Sequence, residues 1–127
     1  MPILDKSSLA TFFENLERAI IENSEQRFRH AEEPIRFFDS EVALYELVSQ
    51  LGAAAADYEL LGLLSEDRYL APLLPLTAHP NEDIAATILC FLIEATDTED
   101  VSGEEAKAVW QFAYKLVILA WNSTLKN

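Results

Sequence analysis

The chain has 127 residues, half of them hydrophobic and 24 % charged, which is enough for one domain that buries roughly two-thirds of its unfolded surface. Nine Lys and Arg face 22 Asp and Glu, a formal net charge of -13, and this excludes a general nucleic-acid-binding surface, because phosphate binding rests on clustered cations. Basic proteins or peptides are the partners that such a balance favours.

An uncharged apolar run such as Leu116 to Trp121 falls far short of the roughly 18 residues of a membrane span. The opening MPILDKSS lacks a basic segment followed by an apolar core, so a secretory signal is not expected. Cys90 is the single cysteine, which leaves no internal disulfide, zinc knuckle or redox pair and points to a reducing compartment, nucleus or cytosol. The charge is uneven. Residues 37–106 hold fifteen carboxylates and one cation, Arg68, whereas residues 1–36 hold five of the nine cations, including Arg18, Arg27, Arg29 and Arg36. The amino-terminal piece is therefore expected to pack partly by electrostatics on the acidic remainder. A solvated surface is the competing explanation of the acidic excess.

In chain order, Leu9, Phe12, Phe13, Leu16 and Ile20 keep helical spacing, with Asp5, Ser7 or Ser8 as cap, and predict a first helix to about Asn23. Ser24 to Glu33 reads as a polar connector with a short helical turn, and Pro34 as a break. Ser40 is placed to cap a second helix carrying Ala43, Leu44, Leu47, Val48 and Leu51. Gly52 and four alanines follow; they favour helix but add little bulk, so they suit a close approach of two helices. Asp57 restarts a helix with Tyr58, Leu60, Leu61, Leu63 and Leu64, ending near Ser65–Asp67.

Pro72 and Pro75 suit the opening of a short helix with Leu73, Leu74 and Leu76 as its apolar face, which His79-Pro80-Asn81 stops. Asn81 is then the N-cap of a longer helix with Glu82 and Asp83 in its first turn. The polar positions of that helix, Asp83, Thr87, Cys90, Glu94 and Asp97, form one narrow stripe. Ile84, Ala85, Ile88, Leu89, Phe91, Leu92 and Ile93 fill the rest, which predicts neighbours around most of its circumference. Periodicity alone fits equally the inner helix of a stacked repeat and the central helix of an all-α bundle. After the polar loop TDTEDVSGEE, Ser102 and Glu105 make a capping box for a last helix whose apolar residues, from Val109 and Trp110 to Val117 and Trp121, extend beyond a single stripe.

No segment alternates as a strand does, so the chain reads as all-α with about six helices, those starting near Asp57, Pro72 and Asn81 forming a short, short, long triplet. The core pattern Leu70, Leu73, Leu74, then a polar turn, then Asp83-Ile84, Ala85, Leu89 and Leu92 resembles an armadillo repeat, a unit that stacks with its neighbours. The expected architecture is an armadillo/HEAT-like right-handed helical superhelix, a short α-solenoid, with residues 1–39 as a helical cap and 40–127 as the repeats.

A wider resemblance runs through nearly the whole chain. SSLATFFENLERAIIENSEQRFRHAEEPIRFFDSEVAL, DYELLGLL, LLPLTAHPNEDIA and LIEATDTEDV are similar in order and spacing to the amino-terminal half of the beta-catenin-like protein 1 family. The landmarks are Ser7-Ser8, Glu17-Arg18, Asn23, Pro34, Phe38, Ser40-Glu41, Leu44, Leu61, Leu64, Leu73-Leu74, Asn81, Asp83, Leu92 and Thr96-Asp97. The resemblance implies a nuclear armadillo-like scaffold of the pre-mRNA splicing machinery, associated with the nineteen complex and binding basic localisation segments of partner proteins. It also implies a tail ahead of this region and further repeats after it.

Carried over from armadillo proteins, the exposed stripe of the long third helix is the concave binding face: Thr87, Cys90, Glu94 and Asp97, continued by Glu99 and Asp100 in the loop. Paired carboxylates one turn apart suit Lys or Arg of an extended peptide, while the competing reading is a plain solvated face. Trp110 and Trp121, eleven residues apart, read first as core; with Val117 they are also the candidates for self-association into a homodimer through the last helix. No enzyme is expected and no cofactor or metal. His30 and His79 lie in unrelated segments without H-E-x-x-H spacing, the acidic pairs 66/67, 82/83 and 104/105 sit at helix starts where dipole effects explain them, and three glycines make no phosphate-cradling loop.

Overall fold

Residues 4–125 are described by the computed structural model, and they form six α-helices and three 3-10 segments with no strand among them. Helix α1 (Leu9–Arg29) turns through a 3-10 segment (Pro34–Arg36) into α2 (Phe38–Gln50). A second 3-10 segment (Leu51–Ala56) leads to α3 (Tyr58–Leu64) and α4 (Asp67–Leu70), and a third (Ala71–Ala78) to α5 (Glu82–Ala95) and α6 (Gly103–Leu125). No helix among the described residues is long and apolar enough to cross a membrane.

The first helix runs six residues past the expected end, because its last turn is anchored. Asn23 and Arg27 both bond Glu41 of α2, Gln26 donates to Glu22 one turn back at 3.0 Å, and Arg27 and Arg29 sit at the negative end of the helix dipole. Ser40 is not a cap: α2 starts two residues earlier, and the Ser40 hydroxyl donates to the Phe37 carbonyl at 2.9 Å. The expected boundary at residue 39/40 thus falls inside the first turn of α2.

The alanine run is a 3-10 segment rather than α-helix, and its small side chains do permit close approach. Ala54 and Ala55 are buried where the segment packs on α5. Asp57 caps α3 as expected, its carboxylate accepting from Leu60 N at 3.1 Å. The Pro72/Pro75 segment is likewise 3-10: each proline lacks an N–H, and the tighter turn still buries Leu73 and Leu76.

The directions of the helices define a repeat. Helices α2 and α5 run parallel: Glu41 near the start of α2 meets Asn81 at the start of α5 at 2.9 Å, and Ser49 near its end lies beside Ala86, Thr87 and Cys90 further along. Helices α3 and α6 also run parallel. Tyr58 lies near Val109, Lys115 pairs with Asp67 at 2.5 Å, and Ala71 and Leu74 lie near Leu119 and Ser123. Two parallel pairs of this kind are what stacking a three-helix unit produces. The stretch from α3 to α5 is one whole unit, α2 the last helix of the unit before it, and α6 the first helix of the unit after it.

One apolar cluster joins these pieces, from Leu4 and Leu9 through Leu44, Leu61, Leu70 and Ile88 to Phe112. Aromatic contacts bridge the seams: Phe13 and Tyr69 tie α1 to α4 with ring centroids 4.8 Å apart, and Phe91 and Phe112 tie α5 to α6 edge to face at 6.0 Å.

Candidate functional site

Helix α5 begins where the sequence requires it. Asn81 Oδ1 accepts from the Asp83 and Ile84 amides at 2.9 and 3.3 Å, satisfying two donors that have no partner within the helix. At the other end, the Thr96 hydroxyl donates to the Leu92 carbonyl at 2.8 Å and Asp97 accepts from the Glu99 amide at 2.9 Å. Ile84, Ile88, Phe91, Leu92 and Ala95 form the buried face. The expectation of neighbours nearly all round does not hold: α2, two 3-10 segments and α6 pack against α5, but Leu89 stays 43 % exposed and Ile93 67 %.

The polar stripe of α5 borders a shallow groove against the end of α2 and the alanine segment. Thr87, Cys90 and Glu94 line a depression of about 230 Å³ with Ser49 and Gly52. Glu94, Asp97 and Glu99 line a second, of about 220 Å³, with Gly52, Ala55, Ala56 and Tyr58. Gly52 and Glu94 belong to both, so the two are continuous. A methyl group built on Gly52 would meet nothing within 4 Å, so the floor is open. Asp100 stands apart from these linings, in the turn before α6 with φ 61°, and Gly103 follows with φ 62°, a backbone that an L side chain strains to adopt. Helix α6 starts at Gly103 as expected, but not through the capping box: the bond at its start is from Ala106 N to the Ser102 backbone carbonyl at 3.4 Å, not one made by the Ser102 or Glu105 side chain.

The electrostatics of the groove are one-sided. Among the described residues every ion pair lies elsewhere: Lys6 with Glu59, Arg27 with Glu41, Arg36 with Glu33, Arg68 with Glu66, Lys107 with Glu104 and Lys115 with Asp67. Two of these, from Lys6 and Arg27, tie the amino-terminal piece to the acidic remainder as its charge predicts. Thr87 spends its hydroxyl on the Asp83 carbonyl at 2.7 Å, and Cys90 is an exposed free thiol. The chemistry the groove offers is therefore a row of carboxylates outside these ion pairs, beside small side chains. No group of three or more His, Cys, Asp or Glu among the described residues could hold a metal ion.

A second polar cluster lies outside the residues that the sequence singles out for binding. Glu41 is almost wholly buried, and its two oxygens accept from Asn23 Nδ2 at 2.9 Å, from Arg27 through both Nε and Nη2, and from Asn81 Nδ2 at 2.9 Å. Burial is the strongest single influence and raises its pKa, but the bonds from Arg27, Asn23 and Asn81 and the Arg27 charge together bring it down to about 2. His79 completes the junction. Its Nδ1 accepts from the Asn81 amide at 2.9 Å, so Nε2 carries the proton and donates to Asn23 Oδ1 at 2.7 Å. Burial and, less strongly, the Arg27 charge lower its pKa against the pull of Glu41. No buried side-chain polar atom among the described residues lacks a partner, so this junction ties α1, α2 and α5 together, with both Glu41 oxygens occupied inside the molecule.

A signal for it does exist in the sequence. Asn23 stands seven residues after Leu16 and Glu41 three before Leu44, both on apolar stripes, and Asn23, Ser40-Glu41 and Asn81 are all landmarks of the family resemblance.

On α6, the reading of the tryptophans as core is corrected. Val109 and Phe112 are buried, but Trp110, Val117 and Trp121 are 62 %, 64 % and 61 % exposed. The helix packs on α3 through one side, and these three residues point away from it.

A family model described as "Catenin-beta-like, Arm-motif containing nuclear" matches residues 2–123. The chain belongs to this catenin-beta-like family. Beta-catenin-like protein 1 of Homo sapiens and of Bos taurus are each 29 % identical to it over 105 residues, covering 83 % of this chain and 19 % of the relative. The Rattus norvegicus protein of the same name matches to the same extent. The chain thus spans about a fifth of the length of these relatives, and the stacked units described above are the armadillo-like helical solenoid of the catenin-beta-like family.

Proposed function

We propose that this catenin-beta-like chain is a non-enzymatic protein-interaction module whose α5 groove takes a Lys/Arg-rich segment of a partner protein. The observation that carries the reading is the row Glu94, Asp97 and Glu99 along an open groove floored by Gly52, with every cation of the described residues that forms an ion pair engaged elsewhere. Several exposed charge pairs of this kind contribute orientation and association rate more than affinity. The setting we propose is the nucleus, with a scaffold role in pre-mRNA splicing alongside the nineteen complex, as the resemblance implies.

Fluorescence anisotropy of a labelled Lys/Arg-rich peptide tests the groove. Binding should weaken at least about tenfold in the double variant Glu94→Lys, Asp97→Lys and fall steeply with added salt, since exposed pairs are screened over about 8 Å at physiological ionic strength. Undiminished binding by that variant would sink the groove reading.

A further inference from the structure

We infer, resting on the groove reading above, that Tyr45 makes the groove selective for arginine over lysine by seating one guanidinium of the bound segment on its ring. On α2, Phe38, Val42, Tyr45 and Ser49 recur at intervals of four, three and four residues and so share one face of the helix. Ser49 borders the groove beside Thr87 and Cys90, which places this stripe along the α2 wall. Glu41 meets Asn81 one turn before Tyr45, and Ser49 lies beside Thr87 one turn after it. Tyr45 therefore stands beside the opening turns of α5, where Asp83 leads the polar stripe.

The exposure of this face belongs to the fold, because α2 already has a neighbour on each flank. Ser40 and Leu47 face α1, Ser40 accepting from Asn23 at 3.1 Å and Leu47 lying beside Phe12. Helix α5 takes the other flank. The stripe opens onto the groove, with Phe38 59 % and Tyr45 42 % exposed.

The surroundings of the ring select the guest. Glu46 follows Tyr45 and Asp83 lies across on α5; both are exposed and outside every ion pair of the described residues. A guanidinium is planar, stacks on an aromatic face and keeps N–H groups at its edge for a carboxylate, whereas an ammonium has no plane to stack. The chain uses this arrangement twice within itself. Arg27 lies over the Phe37 ring at 4.4 Å while bonding Glu41, and Arg68 lies over the Tyr69 ring at 4.5 Å while bonding Glu66 at 3.3 Å. Both cation–ring contacts among the described residues are arginines.

Register fixes the spacing. Ser49 lies beside Cys90, Tyr45 is one turn before the former and Glu94 one turn after the latter, so ring and carboxylate are about 12 Å apart along the groove. An extended chain covers that in about four residues, and its side chains at i and i+4 point the same way.

Fluorescence anisotropy tests the assignment with extended peptides holding a central Lys-Lys pair, flanked four positions away on both sides by Arg, by Lys or by Ala. The Arg peptide should bind the 127-residue chain at least about threefold more tightly than the Lys peptide. Tyr45→Leu should bring that ratio close to one, and Tyr45→Phe should keep it. The ratio is taken within each variant, so a lower folded fraction affects both peptides alike and drops out. Equal affinity for the Arg and Lys peptides in the unaltered chain, or an Arg preference that survives Tyr45→Leu, would overturn the inference; the groove itself still stands if Glu94→Lys with Asp97→Lys weakens every peptide. No binding by any peptide, or binding indifferent to those charge reversals, would remove the groove and the role of Tyr45 with it.

Discussion

Glu41 and Glu94 belong to neighbouring parallel helices, yet they sit in opposite chemical circumstances. Glu41 is buried with four side-chain nitrogens of three residues donating to its two oxygens, whereas Glu94 is exposed beside Asp97 and Glu99 and outside every ion pair of the described residues. The first is a structural carboxylate whose whole acceptor capacity is used inside the molecule. The second has its capacity free for something outside. Acidity as such therefore says little here; what separates structure from binding is the number of donors the fold brings to each carboxylate.

The sharpest way to break the contrast is Glu41→Ala. It strands the Arg27 guanidinium and the Asn23 and Asn81 amides, and removing one partner of a buried pair costs about 3–5 kcal/mol. Urea melts should show the midpoint falling sharply with the slope little changed. A wild-type midpoint retained by this variant would mean that the junction is ornamental.

Acid is the next largest probe. Glu41 has its folded pKa depressed from 4.5 to about 2, so its contribution is present above the unfolded value and is lost as pH falls from about 4.5 towards 2. The difference is worth about 3 kcal/mol. The His79 pKa is also lowered from 6.5, so its contribution has the same sign: present above 6.5 and declining as pH drops below it. Protonating Nδ1 would also cost the bond from the Asn81 amide. Stability measured against pH should descend in two stages, and His79→Gln should remove the upper one while leaving the lower.

Much of this is legible in the sequence. Apolar spacing locates α1, α2, α5 and α6, and the Asn81 and Asp57 caps are found with the bonds that their side chains predict. The triplet from Asp57 to Asp97 is one stacked unit. What fails has physical causes. The end of α1 and the start of α2 depend on Glu41, Asn23 and Arg27 meeting across 18 positions of sequence, which local propensity does not encode. The core reading of Trp110 and Trp121 fails because spacing reports that a face is apolar, and not whether a neighbour covers it. The groove is half visible: Thr87, Cys90, Glu94 and Asp97 follow from periodicity, but Gly52 as its floor requires knowing that the alanine segment packs on α5.

The smallest structural effect should come from the other side of the comparison. Glu94→Gln with Asp97→Asn removes two exposed negative charges from a chain of net -13. Surface changes of this kind shift stability by no more than about 0.5 kcal/mol, and here the sign should favour the folded state slightly, since like-charge repulsion along the stripe is relieved. The carboxamide introduced by Asp97→Asn keeps an oxygen that can accept from the Glu99 amide, so the end of α5 keeps its geometry. The same variant should nonetheless weaken the basic peptide severalfold and flatten its salt dependence. A pair of substitutions that leaves the thermal midpoint nearly unmoved while altering binding is what a carboxylate row facing outward requires; a large loss of stability would instead assign Glu94 and Asp97 to the fold, beside Glu41.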